Sequence, residues 1–82
     1  MNEFSVYQFF RDETHERVHV DVSGQEALAA FYRLIASPGA RSGTTRRVII
    51  IDGGDCTNFE WRYGIGVVFP RVMGEMVQAP AG

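Results

Sequence analysis

The chain carries more apolar strand surface than its one convincing helix can cover. Val48-Ile49-Ile50-Ile51 is apolar at every position, and Phe4-Ser5-Val6-Tyr7-Gln8-Phe9-Phe10 places large apolar or aromatic side chains on both sides of a pleat. Successive side chains of a strand point to opposite faces. Both faces of a sheet built from these segments therefore require cover, and one helix shields one of them. The C-terminal tail, a second copy of the chain or another partner must shield the other.

Eighty-two residues make one domain, spanning 1–82. A core of that size supplies only about 3–5 kcal/mol of net stability. A disulfide, a metal or association commonly supplements it. Cys56 is the only cysteine, which excludes an internal disulfide and fits a reducing, cytoplasmic compartment. With Cys56, His15 and His19 as its only Cys and His residues, the chain lacks the paired spacing of a zinc site, and neither metal nor cofactor is expected. Association remains. No segment has the composition of a signal peptide or the roughly 20 apolar residues of a membrane span.

Ten acids stand against eight arginines and no lysine, for a formal charge of −2, which gives no general attraction to nucleic acid or membrane. The charge is unevenly placed. Residues 1–40 hold six acids and three arginines, whereas residues 41–82 hold four acids and five arginines.

Phe4–Phe10 reads as a first strand and Glu16–Val22 as a second, joined by the polar hairpin 11–15. In the second strand Val18, Val20 and Val22 alternate with Arg17, His19 and Asp21, predicting one dry and one wet face. Ser23-Gly24-Gln25-Glu26 fits a capping box and predicts a helix over Gly24–Ala36. Its apolar stripe is Ala27, Leu28, Phe31, Leu34 and Ile35, with Glu26, Ala29 and Arg33 opposite. Ser37-Pro38-Gly39 ends it, and Ala40–Arg46 reads as a polar loop.

Arg47–Ile51 is the expected central strand. Asp52-Gly53-Gly54-Asp55 is a turn in which the glycines are expected to take positive φ. Cys56–Tyr63 is a fourth strand with Phe59, Trp61 and Tyr63 on one face and Asn58, Glu60 and Arg62 on the other. Gly64-Ile65-Gly66 turns into a short strand, Val67–Phe69, ended or marked as an edge by Pro70. The tail, 71–82, carries Val72, Met73, Met76 and Val77 at loosely helical spacing, and its end is expected to fray. The order β-β-α-β-β-β predicts an α+β fold, a single antiparallel sheet layer packed on one main helix.

The aromatic row Phe59, Trp61 and Tyr63 is expected on the face opposite the helix. Each such ring buries about 150–250 Å² when covered, so the exposed row would be an interaction site. The leading expectation is a non-enzymatic interaction module that forms a homodimer. The interface would be Phe59, Trp61 and Tyr63 with Tyr7 and Phe9, or an edge-to-edge pairing through Val67 and Phe69.

Arg41, Arg46 and Arg47, with Ser42, Thr44 and Thr45, form the main basic cluster. It gives the alternative of a binder of nucleic acid or another anion, set against a solvated loop paired with Asp52, Asp55 or Glu60. A third class is a small enzyme using Asp52, Asp55 or Glu60 as acid or base, which requires a strongly raised carboxyl pKa in a cleft. His15 and His19 read as surface histidines, Cys56 as a small packed residue, and Asp52 and Asp55 as turn formers rather than cation ligands.

Overall fold

The computed structural model describes residues 2–70. The elements follow in the order β1 (Phe4–Phe10), β2 (His15–Val22), α1 (Gly24–Ile35), α2 (Pro38–Ser42), β3 (Thr45–Ile51), β4 (Thr57–Arg62) and β5 (Gly66–Phe69). The strands form one sheet in the order β2-β1-β3-β4-β5, and every neighbouring pair is antiparallel. β3 lies at the centre, and the fold is α+β.

α1 starts where its capping chemistry dictates. Ser23 Oγ accepts from the Glu26 amide at 3.1 Å, and Glu26 Oε1 accepts from the Ser23 amide at 3.2 Å. Two otherwise orphaned amide donors are thereby satisfied. Ala27, Ala30 and Phe31 are buried beneath the helix, while Glu26, Ala29 and Arg33 face water. These side chains meet Val6, Val48 and Ile50, and Phe4, Val18, Val22, Leu28, Leu34 and Ile35 pack around the cluster.

The segment expected as a polar loop contains a further helical turn. Ser37 Oγ accepts from the Ala40 amide at 3.2 Å and caps α2, with Pro38 in its first turn, where the missing N–H costs nothing. Pro38 therefore ends one helix and opens the next. Gly43, at φ 90°, closes α2 in the left-handed region; a Cβ there would meet the Tyr63 ring at 3.0 Å.

Three expectations are corrected. Phe59 and Trp61 lie on the helix side of the sheet, not opposite it: they pair across β3 with Ile50 and Val48, and the Phe59 ring packs 5.7 Å from that of Phe31. The amphipathic logic is ordinary, since β4 turns its aromatic row inward and its charged row, Glu60 and Arg62, outward. Val20 does not share the dry face with Val18 and Val22 and is 46% exposed. The β1–β2 register shifts between Phe4 and Tyr7, and Asp21 takes φ 54°, so the alternation is broken by bulged pairing. In the β3–β4 hairpin Asp55 (φ 64°), not a glycine, adopts the left-handed conformation.

Both helices lie on one side of the sheet, and among the described residues no second layer covers the other side. The expectation that the tail provides this cover, and its predicted fraying, fall outside the described residues.

Candidate functional site: the outer sheet face and the β5 edge

The strand registers place two rows of side chains across the face turned away from α1. One row runs His15, Phe9, Arg47, Arg62 from β2 to β4. The next runs Arg17, Tyr7, Ile49, Glu60, with Phe69 of β5 across from Glu60. Neighbouring strands lie about 4.8 Å apart, so four strands bring the first row to roughly 14 Å from end to end.

Glu60 organises this surface. Its Oε2 accepts from Arg47 Nε and from Arg62 Nε, both at 2.7 Å. Arg47 and Arg62 are direct cross-strand partners, an arrangement that like charges disfavour without a counter-ion between them. Glu60 is 9% exposed, so its carboxylate is the fixed centre of the triad. Burial pushes its pKa up, but the hydrogen bonds from Arg62 and Arg47, together with their charges, outweigh burial and hold it below the ordinary glutamate range. The Arg47 guanidinium also lies over the Phe9 ring, 4.9 Å from its centroid. Tyr7 stacks beside Phe9 at 6.5 Å, and His15 stands 5.5 Å from Phe9 and 6.1 Å from Tyr7. Aromatic and cationic planes are thus in contact on one half-buried surface.

The two sheet edges differ. β2 presents His15, Glu16, Arg17, His19 and Asp21 and is bulged, features that block strand addition. Residues 63–69 at the other edge contain no charged residue. Tyr63, Ile65 and Phe69, at 40, 72 and 45% exposure, are three of the five large apolar side chains left exposed among the described residues. Val67, by contrast, packs partly on the core.

The remaining candidates do not converge. Arg41 sits in α2, Arg46 lies over the Tyr63 ring at 5.0 Å, and Arg47 belongs to the Glu60 triad. The basic run is thus divided among different supports. Asp52 serves the turn: its Oδ1 accepts from the Gly54 and Cys56 amides at 2.8 and 3.1 Å. Those bonds, Cys56 first, lower its pKa. Asp52 and Glu60 are therefore both shifted away from the raised pKa that an acid–base role near neutrality requires. Cys56 is an exposed free thiol rather than a packed residue. No group of three His, Cys, Asp or Glu side chains among the described residues is placed to hold a metal ion. A cavity of about 500 Å³ lies between the start of α1 and the β3–β4 hairpin, with Phe4, Leu28 and Phe59 on its walls. Asp52 and Asn58 also line it, and Asn58 Oδ1 is buried without a hydrogen-bond partner among the described residues.

No helix among the described residues is long and apolar enough to cross a membrane. Comparison with protein-family models, with curated proteins and with solved structures finds no match.

Pairing of the arginine cluster with Glu60 was one alternative of the sequence reading, and Arg47 realises it; Arg62 as the second partner of Glu60 was missed, although a signal was present. Arg47 and the alternating Glu60 and Arg62 lie on strands joined by a short turn, and acids between arginines on adjacent strands pair readily.

Proposed function

We propose that the protein is a non-enzymatic interaction module that forms a homodimer by pairing β5 with its copy across a two-fold axis. The observation that carries this reading is the uncharged edge at residues 63–69, with Tyr63, Ile65 and Phe69 exposed beside it. An edge strand offers unpaired backbone donors and acceptors, and the apolar side chains beside it supply area that water leaves on association. Antiparallel pairing of identical strands satisfies the self-complementarity of a two-fold interface.

Face-to-face packing is the weaker arrangement. The two outer rows hold Arg17, Arg47 and Arg62 against Glu60 alone, a net +2, and a two-fold axis would set this charge against itself. Tyr7 and Phe9 lie within that surface, while Phe59 and Trp61 are committed to the core and leave the interface.

Sedimentation equilibrium tests the proposal. The expected mass is twice the 9.2 kDa of the chain. Ile65→Lys combined with Phe69→Lys places four like charges at the paired edges and is expected to return the monomer. A wild-type chain that stays monomeric to about 100 μM, a concentration at which even weak pairs form, would refute it.

A further inference from the structure

We infer that the outer sheet face binds single-stranded nucleic acid, through a surface that shares only Arg47 with the arginine cluster and only Phe69 with the β5 edge. The chain as a whole is acidic at −2, yet the two outer rows sum to +2, so the rest of the molecule carries −4. Charge is segregated, and the positive part coincides with the one face that no described element covers.

The chemistry of the face is more specific than its sign. Arg47 and Arg62 reach Glu60 through Nε, at the inner side of each guanidinium. Among the described residues no partner takes the Nη groups of either fork, and a guanidinium fork matches phosphate oxygens. Glu60 fixes both forks in place, so little order has to be created on binding. Arg47 is 37% exposed and Arg62 53%, so both remain reachable from water. Arg17, across from Tyr7 on β2, supplies the third charge.

Between these charges lie planar groups. Tyr7 and His15 stand beside Phe9, and the Arg47 guanidinium lies over the Phe9 ring. Bases stack on aromatic rings and on guanidinium planes, while their phosphates take the arginines. An acidic peptide would use the charges but not the rings. Duplex DNA is read by an element that enters a groove, and among the described residues no helix lies on this face.

The test is fluorescence anisotropy of a labelled oligothymidylate dodecamer titrated with the full chain over a series of salt concentrations. Three arginines at single-strand phosphates give an expected slope of log K against log salt near −2. Arg62→Gln and Arg17→Gln, at exposed positions that leave the core intact, are each expected to flatten that slope by about 0.7. Tyr7→Ala is expected to weaken binding roughly ten-fold and to leave the slope unchanged, because it removes a stacking plane and no charge. Three results would overturn the inference. One is no anisotropy change at about 50 mM salt. Another is a slope indifferent to Arg17 and Arg62. The last is equal competition by polyglutamate or duplex, which marks unspecific attraction for polyanions. The mass measurement above is kept separate by reading it also on Ile65→Lys alone, because Phe69 stands in the outer row across from Glu60.

Discussion

Glu60→Gln isolates the physics of the outer face. The substitution keeps the shape of the side chain and removes its charge. Two charge-assisted hydrogen bonds, each worth about 1.5–3 kcal/mol when made to a charged group, become at best neutral ones. Arg47 and Arg62 are 37 and 53% exposed, so water recovers much of that loss. The expected destabilisation at pH 7 is about 1–2 kcal/mol. It should depend on pH in a defined direction. The Glu60 carboxyl titrates below its ordinary value in the folded chain. Its stabilising contribution is complete above the unfolded glutamate pKa of about 4.3 and is lost as pH falls through the lower, folded value. The gap between wild type and variant should therefore be constant from neutrality to about pH 5 and close below that. Asp12 and Asp52, whose pKa values are also lowered, are common to both proteins and cancel in the difference. Urea unfolding followed by the fluorescence of Trp61, the single tryptophan, provides the assay. A gap that is the same at pH 3 as at pH 7, or no gap at all, would refute the account of Glu60 as the ionised hub of the triad.

Two substitutions test the helix side of the sheet. Phe31 is fully buried and packs against Phe59, so Phe31→Ala should cost about 3–5 kcal/mol, comparable to the whole stability of a domain this small, and circular dichroism at 25 °C should show an unfolded chain. Ser23→Ala removes one half of the capping box and should cost about 1 kcal/mol, read as a lower urea midpoint with an unchanged m-value.

Much of the fold was legible because its signals are local. The capping box at Ser23 and Glu26, the stripe from Ala27 to Ile35 and the turn chemistry around Asp52 and Gly64 each depend on a few neighbouring residues, and each stands where its pattern places it. Antiparallel pairing and the central place of β3 followed from hairpins flanking a helical connection, whereas the full order β2-β1-β3-β4-β5, with β1 beside β3, is set by long-range pairing that no local pattern encodes. α2 was hidden because its capping serine precedes a proline, and Ser37-Pro38 reads equally as the end of one helix or the start of another. Val20 was misplaced because a period of two holds only while the ladder is regular, and a left-handed Asp21 cannot be seen in an alternation of valines.

The site was less legible than the fold for a different reason. Alternation tells which residues share a face but not which face meets the helix, and β1 and β3 are apolar on both sides. β4 breaks the tie, because it alone sets aromatic residues against charged ones. Once Phe59 and Trp61 are assigned to the core, antiparallel register carries the choice to every other strand: Ile50 and Val48 follow inward, then Val6 and Gln8. Tyr7, Phe9, Ile49 and Arg47 are left outward. The oily surplus of this chain is thus smaller than the strand sequences suggest, since its largest rings are spent beneath α1. What remains outside is an aromatic surface interleaved with arginines around one buried carboxylate. Such a face is poorly suited to meeting its own copy, and well suited to a ligand that brings both rings and negative charge.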